Sequence, residues 1–195
     1  AFVLTLLGPG NSAPPPRPAP PRAGLSWTES DSLVRKLQAI ESRQKAQGKR
    51  ETVLVTEGEL NSYLNLELAP KLPRGVSDLL VRLDRDRVFA SGMVDLDQVQ
   101  GKLPNSRFSP LALLSGRVPV HIQGRLMNFN GFGAIEWEDI RISSLSLPAS
   151  VLGQLVASST RDAENPEGFD IQAPFRLPHA CRWLRLEPGR ALLDF

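Results

Sequence analysis

Arg117-Val118-Pro119-Val120-His121-Ile122-Gln123-Gly124-Arg125-Leu126-Met127-Asn128-Phe129 is the stretch whose reading decides the fold. Val118, Val120, Ile122 and Leu126 fall on one side with Gly124 between them, while Arg117, His121, Gln123 and Arg125 fall on the other. A period of two is that of a β-strand with one buried face. At about 3.3 Å per residue such an arm reaches roughly 40 Å, well beyond an average strand of five or six residues. Asn130-Gly131 suits the positive backbone angles of a tight turn, so Phe132 to Leu147 is expected to return as a second arm. There Ile135 and Trp137 lie on one phase, Ile140 and Ile142 on the other, and Leu145 and Leu147 on the first again. Phase slips of this kind predict β-bulges, which bend a strand and sharpen its twist. With Gly92 and Gly124 inside strands, the expected sheet is long and curved.

Upstream, Leu79, Val81 and Leu83 alternate up to the polar turn Asp84-Arg85-Asp86-Arg87, and Val88, Ala90, Gly92, Val94 and Leu96 alternate on the way back. Phe89 and Met93 take the opposite face of that return strand, which predicts partial cover there as well. Thr52 to Thr56 reads as a short strand. Thr56-Glu57-Gly58-Glu59 then fits a capping box, in which hydroxyl and carboxylate each satisfy a free backbone N–H. A helix is expected from Glu57 to Leu68, with Leu60, Tyr63, Leu64 and Leu68 on its stripe and Pro70 beyond it. An earlier helix, capped by Thr28 or Ser30, is expected to run to about Gln47 on Leu33, Val34, Leu37 and Ile40.

Downstream, Asp97 to Gly116 is broken by Pro104, Asn105 and Pro110 and reads as loop, although Leu111 to Leu114 is apolar enough to touch a groove or a membrane. Pro148 is placed to start a helix at its first position, with Val151, Leu152, Leu155 and Val156 as its apolar stripe. After the polar loop Arg161 to Gly168, Leu184 and Leu186, the Pro188-Gly189 turn, and Leu193 with Phe195 predict a closing hairpin in the same sheet.

The chain of 195 residues is 41% hydrophobic and 23% charged, an ordinary globular composition. One core is expected. The pI is near 9.0, yet the net charge is only +2 and its cations are scattered. No basic run interleaves with aromatics, which argues against nucleic acid as a partner. The run Ala1 to Gly8 is apolar but too short to span a bilayer. It reads as the tail of a signal peptide or anchor, followed by a Pro14 to Arg22 spacer in polyproline II. Residues 1–27 are therefore expected to be tether and linker, and 28–195 a single domain.

Chemical motifs are scarce. A single cysteine, Cys181, excludes an intramolecular disulfide and reads as a small buried residue. His121 and His179 are far apart with no cysteine pair near either, so neither a metal nor another cofactor is predicted. His179-Ala180-Cys181 lacks a third group to orient a thiol–histidine pair. Gly131-Phe132-Gly133 leads from strand to strand, where a dinucleotide site needs strand to helix, and its glycines read as turn residues. Glu136 with Glu138, and Asp84 with Asp86, read as solvated charge. No enzyme is predicted. An apolar sheet face under short helices instead predicts a lined groove, with Val120, Ile122 and Leu126 on the sheet and Leu60, Leu64, Val151, Leu152 and Leu155 on the helices.

Val55-Thr56-Glu57-Gly58-Glu59-Leu60-Asn61-Ser62-Tyr63-Leu64, with the alternating strands to Leu96, resembles the helix-then-hairpin opening of bacterial envelope proteins related to the tubular lipid-binding and AsmA-like families. Leu145-Ser146-Leu147-Pro148-Ala149-Ser150-Val151-Leu152 and Pro174-Phe175-Arg176-Leu177-Pro178 are similar to the second half of such domains. The resemblance covers about residues 51–195. It implies a curved antiparallel sheet packed by two or three short helices, an α+β domain outside the cytoplasmic membrane, periplasmic or otherwise extracytoplasmic. Its implied function is non-enzymatic binding or transfer of a lipid or other apolar envelope molecule. An envelope scaffold with a filled core, binding a protein partner through a sheet edge or the Leu111 to Leu114 loop, is the alternative.

Overall fold

The long hairpin is the centre of the molecule, which a computed structural model describes over residues 24–43, 51–99, 115–129, 131–161, 165–177 and 181–195. The Pro-rich spacer, Leu111 to Leu114 and His179 lie outside the described residues. In chain order the elements begin with α1 (Trp27–Arg43), β1 (Thr52–Thr56), α2 (Glu57–Leu66), β2 (Val76–Asp84) and β3 (Arg87–Asp95). After the short α3 (Leu96–Val99) come β4 (Arg117–Phe129), β5 (Phe132–Ile142) and β6 (Leu145–Ser146). Then α4 (Ala149–Ser159), β7 (Phe175–Arg176), β8 (Trp183–Glu187) and β9 (Arg190–Asp194) complete the α+β fold.

The large sheet has the order β2-β3-β4-β5-β6, all antiparallel, with β7 added beside the start of β5. The expected bulge is present: Gln123 pairs with Asp139 and Gly124 with Trp137, which leaves Glu138 as the extra residue. A Cβ on Gly124 would stand 2.5 Å from Ile135 Cγ2, so only glycine allows the two arms to approach here. A second irregularity lies between Ser77 and Leu80, where Asp78 has a positive φ of 55°.

Several boundaries differ from expectation. The second arm ends at Ile142, not Leu147, because Ser143 at φ 54° reverses the chain and sends Leu145 back beside Ile142. Gly133 lies within β5 under the Phe175 ring and is not a turn residue, while Gly131 at φ 79° is. Ser30 is no cap: its N–H bonds to Ser26 O at 3.0 Å inside α1. α2 stops at Leu66, and Pro70 sits in a separate 3-10 turn. The loop expected from Asp97 begins as helix, and Pro148 stands just before α4 as its cap.

The closing hairpin does not join the large sheet. β8 and β9 pair with β1 in a separate sheet of order β1-β9-β8. The reason is visible at the edge of β2, which α2 already occupies. Leu83 N–H donates to Glu57 Oε1 at 2.5 Å, and Val81 exchanges two bonds with the Asn61 amide at 2.7 and 2.9 Å. Asn65 then donates to Leu79 O at 2.7 Å. Every fourth residue of a helix advances about 6 Å and every second residue of a strand about 6.7 Å, so this side-chain row keeps step with the strand. β8 is closed in the same way, by the Asn128 amide on Leu184 and by Asp86 N–H on Leu186 O.

Among the described residues the buried apolar side chains fall into two clusters, where a single core was expected. Leu96, Val118, Val120, Ile140, Ile142, Leu147 and Leu152 make the first, under α4. Leu33, Val55, Leu83, Leu126, Leu186 and Ala191 make the second, between α1, α2, the small sheet and the far end of the large one. A strand as long as β4 outruns any single cover, so its inner face passes from one cluster to the other near Gly124.

Candidate functional site

The inner face of β4 and β5 carries the candidate residues, and the structure divides them. Val120 and Leu152 are buried in the first cluster, with Ile122 and Val151 half-buried against it. Leu126 is buried in the second cluster, with Leu60 half-buried against it. Leu64 is half-buried and belongs to neither, and the Leu155 side chain lies outside the described residues. The eight therefore do not line one groove. Four described residues gather about the first cluster, Val120 and Ile122 from β4 and Val151 and Leu152 from α4.

The α4 cover has unusual chemistry. Its sequence, Ala149 to Ser159, contains no charged residue, and no side chain caps its N-terminus. Val156 and Val151 on the helix, and Ile122, Trp137 and Ile171 beneath and beside it, are all half-buried. Trp137 Nε1 donates to Ile171 O at 3.2 Å, which fixes the indole at the rim of this apolar face. The exposed positions Ser150 and Gln154 of α4 are polar but uncharged, and Val151, Leu152 and Val156 face the first cluster.

The opposite cover is polar and interlocked. The Thr56 capping box is formed, with Glu59 N–H on Thr56 Oγ1 at 3.2 Å and Thr56 N–H on Glu59 Oε2 at 2.9 Å. Lys36 from α1 reaches Glu59 Oε1 at 2.6 Å and also donates to Leu54 O. Burial pushes the Glu59 carboxyl up, but hydrogen bonds from Lys36, Ser32 and the Thr56 backbone outweigh it and hold the group below its ordinary value. On the outer face, Gln123 and Arg87 bond to Glu138, the bulged residue, and hold its carboxyl down as well. Glu138 is thus an ion-paired brace across three strands.

Cys181 is buried at 1% exposure, its thiol donates to Trp183 O, and burial raises its pKa, the reverse of an activated nucleophile. His121 is exposed on the outer face of β4. Among the described residues no three His, Cys, Asp or Glu side chains gather as metal ligands do. Among the same residues no helix is long and apolar enough to cross a membrane.

Two clefts border Trp183, one at the end of the small sheet and one between the small and the large sheet. One, of about 400 Å³, is bordered by Glu51, Thr52, Arg182, Asp194 and Phe195. The other, of about 300 Å³, is bordered by Asp86, Leu126, Asn128, Leu184 and Arg185. Leu126 alone of the candidate residues borders either one. Sequence reasoning passed over Asn61, Asn65 and Asn128 as working residues. The signal was there for the first two: asparagine is a weak helix former, and two of them four residues apart inside a helix mark a face that serves polar backbone.

Comparison with family models, curated proteins and solved structures finds no match to this chain.

Proposed function

We propose that the chain is a non-enzymatic domain of the bacterial envelope that binds or transfers a lipid or other apolar envelope molecule, held against the inner face of the long sheet beside α4. The observation that carries this reading is the charge-free α4, whose Val151 and Val156 stay half-buried over half-buried Ile122 and Trp137. Apolar surface left partly covered on both sides of a helix–sheet seam has a favourable place for an acyl chain, at roughly 0.8 kcal/mol per buried CH₂. The extracytoplasmic setting rests on the resemblance of residues 51–195 to envelope families.

Native mass spectrometry of the purified chain tests the proposal. Lipid adducts that exchange for an added fluorescent fatty acid are expected. A single ligand-free mass with no uptake of the probe refutes it. The burial of Val120, Leu126 and Leu152 in packed clusters favours the second reading, an envelope scaffold with a filled core that binds another protein.

A further inference from the structure

The small sheet turns one face outward and carries a cleft at its end. Val53, Val55, Leu184, Leu186, Ala191 and Leu193 pack toward the second cluster, so the residues that alternate with them point away from it. Strand register then puts Thr52 of β1, Asp194 of β9 and Trp183 of β8 side by side on the outer face. Thr52 Oγ1 donates to Asp194 Oδ1 at 2.5 Å. Trp183 is 50% exposed and borders, with these two and with Glu51, Arg182 and Phe195, the cleft of about 400 Å³. The backbone is tied here: Arg182 N–H donates to Asp194 O at 2.7 Å, Phe195 N–H to Glu51 O at 3.0 Å, and the Cys181 thiol to Trp183 O at 3.2 Å. A cleft held in this way loses little freedom when a guest enters.

The lining selects the class of guest. Its charge is balanced: Glu51 and Asp194 stand against Arg182 and against Arg185, whose Nη2 lies 3.6 Å from Asp194 Oδ2. A rim without net charge exerts no pull on an anion or a cation. Among the described residues the Arg182 guanidinium and the Trp183 indole N–H donate to no other group, while Asp194 and Thr52 add a carboxylate and a hydroxyl. The guest that fits is uncharged, with an apolar face for the indole and a belt of groups that both donate and accept hydrogen bonds. A pyranose ring has all of these, since its C–H groups turn their positive ends to the negative face of an aromatic π-system.

We propose that this cleft binds a neutral saccharide, with one pyranose ring on the Trp183 indole and its hydroxyls bonded to Asp194, Thr52 and Arg182. The site is separate from α4 and does not rest on the lipid-handling reading. At about 400 Å³ the cleft is at the small end of ligand sites, so it takes the end of a glycan and not a long stretch of one. One stacked ring with a few hydrogen bonds gives weak binding, with a dissociation constant on the order of 1 mM.

Saturation-transfer difference NMR on the full chain with cellotriose, maltotriose and chitotriose tests this. Transfer to the ring C–H protons of at least one of the three is expected. Trp183→Ala should weaken that binding at least about tenfold, and Asp194→Asn or Arg182→Gln by roughly tenfold each, while Phe169→Ala, exposed elsewhere, leaves it unchanged. Trp183→Phe keeps an aromatic face and should retain most of the binding, which separates lost stacking from a lost fold. No transfer to any of the three sugars, or transfer that persists unchanged in Trp183→Ala, overturns the inference. So does binding of glycylglycine and of no sugar, abolished by Arg182→Gln, since that assigns the cleft to a zwitterion.

Discussion

The two helical covers of the long sheet are built on opposite principles. α2 is fastened along the β2 edge by Glu57, Asn61 and Asn65 and capped at both Thr56 and Glu59. α4 has no charge and no side-chain cap at its N-terminus, though the Thr160 hydroxyl donates to Val156 O at 2.7 Å at its other end, and it meets the sheet through apolar side chains. Directional bonds in a dry edge permit one arrangement only, whereas apolar contact tolerates exchange of one apolar neighbour for another. The α2 end is thus held by directional bonds, and the α4 end by apolar contact, the end where the lipid-handling proposal places its ligand.

The largest effect is expected at the fastened end. Asn61→Ala leaves the N–H and C=O of Val81 without partners, and the denaturant midpoint should fall by an amount equivalent to about 3 kcal/mol at unchanged slope. A loss no larger than that of an ordinary surface substitution breaks the comparison. Next is the seam between the clusters. In Gly124→Ala the new methyl meets Ile135 Cγ2, and thermal unfolding should report a cost of about 2 kcal/mol.

A smaller, pH-dependent effect follows from Glu59. Its folded pKa is lowered, so its contribution is present above the ordinary carboxylate value of about 4.3 and disappears as pH falls through the folded value. The parent chain should therefore lose stability more steeply than Glu59→Gln as pH falls below the ordinary carboxylate value of about 4.3, in urea titrations at each pH. Parallel profiles for the two proteins contradict that assignment.

The smallest stability effect is expected at the α4 end. Ile122→Trp places a larger ring in half-buried space, so stability should change by less than about 1 kcal/mol while fatty-acid uptake drops. A cost of about 2 kcal/mol or more, with no uptake in the parent, signifies a filled core and selects the scaffold reading.

The alternation of Val118 to Leu126, the phase slip at Trp137 and Ile140, and the Thr56 capping box were legible in the chain because each is a local rule: side-chain period, bulge and cap all act within a few residues. The candidate face was legible only in part. Val120, Ile122, Val151 and Leu152 do come together, but Leu126 and Leu60 belong to another cluster, since periodicity says which side of a strand is buried and not what covers it.

From its sequence alone this protein is an α+β chain with a long antiparallel hairpin, turning at Asn130-Gly131 and buried on the side of Val120 and Leu126. Only the tertiary structure decided that Trp183–Glu187 and Arg190–Asp194 leave the main sheet for β1, and that Asn61 and Asn128 stand in for missing strands. The reason is that strand partners are chosen by competition among distant edges. In the folded chain the Glu57, Asn61 and Asn65 side chains of α2 satisfy the β2 edge and leave no row of free backbone groups there for another strand.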